Sequence, residues 1–145
     1  MAEKLKMVYE RYLGLDVGTK RIGIAVTDPL LITAQPLKTI SRQPENKSIE
    51  EINQVCKEYN VSVIIVGLPK NMDGTLGAQA DDAQNYAKLI ENQLHIKVIL
   101  EDERLTSKEA ERILILQNRK PSRNKSLVDM AAAAIILQQY LNKRR

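Results

Sequence analysis

The run VSVIIVGLP, residues 61–69, constrains the fold of this chain more than any other stretch. It is almost continuously apolar and rich in β-branched side chains, so it offers no polar face to water. A strand of this kind is buried on both sides, as in parallel sheets covered by helices. Gly67 and Pro69 end it. The rest of the chain must therefore supply neighbouring strands and helical cover.

The neighbours can be read on either side. YLGLD and RIGIAVTD form two strands joined by a turn around Gly18–Lys20, and in the second Ile22, Ile24 and Val26 alternate with Gly23 and Ala25. PLKTI is a weaker third strand, and the short links predict an antiparallel meander. Residues 44–59 form an amphipathic helix starting at Pro44, with Ile49, Ile52, Val55, Cys56 and Tyr59 on its apolar face. After strand four, KNMDGTLG is a loop turning at Asp73–Gly74. A helix over 77–93 then carries Ala80, Ala83, Ala87, Ile90 and Leu94 along one side, and IKVILEDE is the fifth strand. TSKEAERILIL is a helix opened by Thr106 with Glu109 at capping-box spacing, and the last helix is VDMAAAAIILQQYL, 128–141.

The order β-β-β-α-β-α-β-α-α predicts an α/β fold. Its mixed five-stranded sheet has the first three strands antiparallel and helices on both faces. A length of 145 residues, with no repeat or linker, suits one domain over 1–145. With five Tyr but no Trp or Phe, the core is built from Ile, Leu, Val and Ala. The single cysteine, Cys56, excludes an internal disulfide and a cysteine-rich metal site, and its helical spacing makes it a core thiol. MAEKLKMVYE has no signal-peptide run and no stretch is long enough to span a membrane, so a cytoplasmic protein is expected. The only histidine, His95, lies between a helix and a strand and supports no protease constellation; a solvated or partly packed side chain is expected.

The placement of the acids carries the chemistry. Asp16 ends strand one, Glu101, Asp102 and Glu103 end strand five, and Asp129 opens the final helix. If strands one, four and five are parallel, Asp16 and the 101–103 cluster share the rim where open α/β sheets bind ligands. Asp129 joins them if the last helix packs across that rim. Each acid also has a plainer role: a turn former at 16, a surface charge at 102 or 103, and a helix cap at 129, three residues after Ser126. Converging carboxylates repel one another, and Mg²⁺ or Mn²⁺ is the natural compensation. Two such ions can activate a water and stabilise the leaving oxygen of a phosphodiester. A net charge of +4 favours polyanionic partners without establishing one. Lys20, Arg21, Lys70 and Arg104 sit beside the proposed rim as phosphate-binding candidates. The basic loop NRKPSRNKS, 118–126, adds Arg119, Lys120, Arg123 and Lys125 with no acid to balance them. No aromatic residues interleave with these cations, so base-specific stacking is not indicated.

LGLDVGTKRIGIAVTD, IIVGLPKNMDGTLG, DERLTS and DMAAAAIILQQYL, in that order across residues 12–141, closely resemble the bacterial YqgF (RuvX) family. That family belongs to the RNase H-like superfamily and is related to Holliday junction resolvases. The resemblance implies an RNase H-like fold and a metal-dependent nuclease that matures the 5′ end of pre-16S ribosomal RNA. Resolution of four-way DNA junctions is the other activity it implies, and a homodimer would allow paired cuts there. Carried over by motif, the metal-binding and catalytic acids are Asp16, Glu103 and Asp129. Asp102 and Glu103 both belong to the DER motif, and alternation along a strand lets only one of them point into the cluster. Related resolvases have an acid after strand four; here the only acid there is Asp73, far out on the loop. Two other classes compete. LDVGT followed by a cation also resembles the phosphate hairpin of actin-like ATPases, which need two such domains. A non-catalytic nucleic-acid-binding module would keep the fold without the chemistry.

Overall fold

A computed structural model describes residues 9–69, 76–103 and 125–144, with Glu103 described by its backbone alone. The sheet is built from β1 (Arg11–Val17), β2 (Arg21–Thr27), β3 (Ala34–Ser41), β4 (Val61–Pro69) and β5 (Lys97–Glu103). Three helices accompany them: α1 (Glu45–Tyr59), α2 (Ala78–Leu94) and α3 (Lys125–Lys143). The strand order is β3-β2-β1-β4-β5. β1–β2 and β2–β3 pair antiparallel, whereas β1–β4 and β4–β5 pair parallel. The mixed five-stranded sheet and its antiparallel first three strands are therefore as expected. Most of the expected loop 70–77, the helix at 106–116 and most of the basic loop lie outside the described residues.

Alternation sorts the side chains into two layers. Leu13, Leu15, Ile22, Ile24, Val26, Ile64 and Val66 meet α1 and α2 through Ile52, Val55, Tyr86 and Ile90. On the other face Ala25 and Ile65 pack against Ala133, Ile136 and Leu137 of α3. β4 thus buries both of its faces, which accounts for its unbroken apolar sequence. Cys56 is one of the α1 core residues, and burial pushes its thiol up to about 12, so it stays protonated. Asn60 and His95 end α1 and α2 in the left-handed conformation, each closing its helix with a backbone hydrogen bond. His95 is exposed, in keeping with the expected solvated role.

Where α3 comes closest to β1 and β2, the sheet presents small residues. Gly14 and Gly23 stand there in place of the large side chains of the opposite face. A Cβ at Gly14 would lie 2.8 Å from Leu137 Cβ and 2.9 Å from the Ala133 carbonyl oxygen. A Cβ at Gly23 would overlap the Asp129 carbonyl oxygen. The helix backbone therefore rests almost directly on the sheet. Thr39 Oγ1 donates to Ser126 O at 2.7 Å and fixes the helix start over β3. At its end, Lys143 Nζ lies 2.7 Å from Glu101 Oε2 on β5.

α3 begins earlier than the expected 128. Lys125 and Ser126, read as the end of the basic loop, already belong to the helix. Ser126 is therefore not the cap, and Asp129 stands beyond the first turn rather than opening the helix. The capping role suggested by the Ser126–Asp129 spacing is excluded, because capping requires the residue just outside the helix.

Candidate active site

Asp16 is the next-to-last residue of β1 and pairs across the ladder with Gly23 of β2. It shares strand parity with Gly14, which puts it on the α3 face. Because Gly23 has no side chain, α3 comes down onto β2 at Asp129. One contact therefore closes the sheet core and brings together two acids from opposite ends of the chain. The Asp16 carboxyl is pushed up to about 6, first by burial and then by the negative charge of Asp129. At neutral pH it is ionised at an energetic cost.

Asp129 is not left to repel Asp16 unopposed. Arg21, the first residue of β2, places Nε 2.7 Å from Asp129 Oδ2, and the carboxylate is only 21% exposed. This charge-assisted hydrogen bond puts one of the expected phosphate-binding cations on an expected metal-binding acid. Lys20 is exposed at the tip of the preceding turn, and Lys125 is exposed at the start of α3. Lys70, Arg104, Arg119, Lys120 and Arg123 lie outside the described residues.

The third corner is set by register. Leu15 pairs with Val66 and Val66 with Leu100, so one residue further on Asp16, Gly67 and Glu101 stand level across the sheet. Two strand spacings separate Asp16 from Glu101, roughly 10 Å between backbones. Glu101 is buried, 5% exposed, and its carboxylate is taken up by Lys143. The sequence reading missed this pair, since nothing local connects a strand-end acid to a lysine forty residues later. Asp102 is exposed and borders an open surface depression with Gln139, Asn142 and Lys143. Glu103 closes β5 opposite Pro69. Among the described residues no three acidic, histidine or cysteine side chains converge as a metal cage.

The sequence reading also missed Arg42, which is buried just after β3. Its N–H donates to the Lys20 carbonyl at 2.9 Å, and its Nη1 donates to the Gly18 carbonyl at 2.9 Å. The same guanidinium forks onto Asp82 of α2 at 2.9 and 3.0 Å. An arginine between a strand and a helix looks solvated in sequence, and only the tertiary fold makes it interior.

The profile of the family described as RuvX, Holliday junction resolvase, matches residues 10–143. The chain belongs to the RuvX family. A Clostridium botulinum protein named as a pre-16S rRNA nuclease is 46% identical over 133 residues, covering 92% of this chain and 97% of the relative. A Clostridium kluyveri protein of the same name is 44% identical over the same coverage. Among solved structures, RuvC of Thermus thermophilus in complex with a Holliday junction substrate superposes with a TM-score of 0.59 at 15% identity. That match covers 94% of this chain and 96% of the other. The fowlpox virus Holliday junction resolvase gives 0.57 at 14% identity over 93% and 99%. These two likenesses fix the RNase H-like fold, and membership of the RuvX family makes the chain a nuclease.

Proposed function

We propose that residues 1–145 form a single cytoplasmic nuclease domain that holds Mg²⁺ or Mn²⁺ on Asp16, Glu103 and Asp129. Its proposed reaction is hydrolysis of phosphodiester bonds at the 5′ end of pre-16S ribosomal RNA. The observation that carries this reading is the docking of Asp129 beside Asp16 over Gly23, which concentrates negative charge on a sheet rim. Hard carboxylate oxygens at a partly dehydrated site suit a hard divalent cation. Bound there, such a cation would polarise the scissile phosphate and lower the pKa of an attacking water. The chain's own contribution is to orient the acids. Asp16 is fixed by the β1–β2 ladder and Asp129 by the seat of α3. Glu103 is assigned from the family motif, two residues beyond Glu101. Lys20, Arg21, Lys70, Arg104, Arg119, Lys120, Arg123 and Lys125 are assigned to the phosphate backbone of the substrate, where they would position it without reading sequence. The names of the clostridial relatives support the RNA substrate.

The family description supports a second reading, cleavage of four-way DNA junctions, which would call for a homodimer to make paired cuts. One experiment separates the readings. Structured pre-16S rRNA, single-stranded RNA and a four-way DNA junction are incubated with the protein in Mg²⁺, in Mn²⁺ and in EDTA. Metal-dependent cleavage at the rRNA 5′ end is expected, with none in EDTA. Preferential cutting of the junction would favour the second reading, and binding without cleavage of any substrate would make the chain a non-catalytic module.

Arg21 gives a further prediction. A divalent cation and the Arg21 guanidinium are alternative partners for Asp129 Oδ2. Arg21→Gln should therefore tighten Mn²⁺ binding roughly 1.5- to fivefold, the scale of a partly exposed charge pair. Calorimetric titration of wild type and variant checks this.

A further inference from the structure

Arg42 makes an unusual investment in the turn beside Asp16. Its backbone N–H and one guanidinium nitrogen hold the carbonyls of Lys20 and Gly18, on either side of Thr19. The guanidinium is anchored in turn by both oxygens of Asp82, and it lies over the Tyr86 ring at 4.5 Å. Tyr86 shares a 2.7 Å hydrogen bond with Ser48 of α1, and Glu45 of α1 lies 3.7 Å from Arg42 Nη2. One side chain therefore ties the β1–β2 turn to the N-terminal halves of both helices on the far face of the sheet. It does so at a cost, because Arg42 is only 5% exposed and its Nε has no hydrogen-bond partner among the described residues. A buried cation with an unpaired N–H is a poor choice for stability alone, since an apolar side chain of similar length is often as stable. It is a good choice for rigidity, since a planar fork fixes angle as well as distance.

The held turn connects the two site residues. Asp16 lies two residues before Gly18, and Arg21, the partner of Asp129, lies one residue after Lys20. Any slack in 18–20 would reach the Asp16 carboxylate and the Arg21–Asp129 pair together. We propose that Arg42 is a positioning residue for the nuclease reaction, acting through the Gly18–Lys20 turn, with Asp82 as the anchor that aims it. The inference rests on the reading of Asp16 and Asp129 as the reacting site. A residue that holds the catalytic edge without touching substrate should govern turnover more than binding.

The test compares wild type, Arg42→Met, Arg42→Lys and Asp82→Ala on the rRNA substrate, alongside thermal melts and amide hydrogen exchange. Arg42→Met keeps the backbone bond to Lys20 and the packing on Tyr86 but removes the fork. It is expected to lower kcat roughly 10- to 100-fold with KM within about twofold, the scale on which a small misplacement acts. Exchange at the amides of Gly18 and Arg42, which close the turn onto the Arg21 and Lys20 carbonyls, should speed up while that of β4 does not. Arg42→Lys offers one ammonium that can meet Gly18 and one Asp82 oxygen, as Nη1 does, but not the second oxygen, and should recover part of kcat. Asp82→Ala leaves the guanidinium in place without its anchor and should lower kcat less, with the same split, which keeps the test decisive if Arg42→Met does not fold. A fall in melting temperature with kcat unchanged would make Arg42 merely structural and overturn the proposal. So would equal loss of kcat and rise of KM. A wild type that cleaves none of the substrates would overturn the reading of the site itself, and this inference with it.

Discussion

Asp16→Asn should reduce metal-dependent cleavage by at least about a hundredfold and, in the same protein, raise its thermal stability at neutral pH. The loss of cleavage follows from the proposed role of Asp16 as a charged metal ligand where transition-state charge is stabilised. The gain in stability follows from the Asp16 carboxyl being pushed up to about 6 by burial and by the facing Asp129. Between about pH 4 and pH 6 the folded protein holds a proton there that the unfolded chain releases. Wild-type stability relative to the Asn variant therefore falls as pH rises through that window and stays lower above it. A shift of this size corresponds to about 2–3 kcal/mol at most, or a gain on the order of 5 °C in melting temperature for Asp16→Asn at pH 7. At pH 4 the two proteins should melt together. Melts in EDTA from pH 4 to 8 check the sign. A variant that is less stable at neutral pH would mean that Asp16 serves the fold and is not strained for function. With Asp16 as the proposed ligand, metal affinity should rise with pH through about 6, because the carboxyl must lose its proton to bind.

Gly23→Ala should have the larger structural effect. A Cβ at position 23 would meet the Asp129 main chain, and neither a sheet centre nor a helix backbone can step aside as a flexible side chain can. Overpacking a core of this kind typically costs about 1–3 kcal/mol, and a backbone clash belongs at or above the top of that range. The relief available is a shift of the start of α3 away from the sheet, which carries Asp129 away from Asp16 and off Arg21. The variant is therefore expected to lose activity beyond what its lost stability explains. Asp16 should also titrate closer to an ordinary carboxylate, since part of the perturbation comes from Asp129. A Gly23→Ala protein with wild-type activity and melting temperature would contradict the close seat of α3.

The alternation in RIGIAV shows how much of this was legible beforehand. Period two gave the strand and its hairpin partner, and the β-branched run at 61–69 gave a strand buried on both faces. The asymmetry of the alternation, large at 22, 24 and 26 and small at 23 and 25, was also visible. Its meaning was not, because it depends on which helix covers the small face, and the alanine-rich 131–134 comes more than a hundred residues later. The start of the last helix was misplaced for a similar reason. Lys125 and Ser126 continue a basic, polar stretch, and the Thr39 contact to Ser126 at the helix start is a tertiary one. Asp16 and Asp129 were proposed as site residues from strand-end placement and motif, and the fold brings the two together. Arg42 and the Glu101–Lys143 pair were not, since the burial of a charge is a tertiary fact.

Calorimetric titration of Mn²⁺ into wild type and into the Asp16→Asn, Asp129→Asn, Glu103→Gln and Asp102→Asn variants at pH 7.5 tests the central claim most directly. The expected result is saturable binding by wild type, weakened on the order of 10- to 100-fold or lost when Asp16, Asp129 or Glu103 is changed, and nearly unaltered in Asp102→Asn. Wild-type affinity in Asp16→Asn and Asp129→Asn, or no binding by wild type, would contradict a metal site at the junction of β1 and α3.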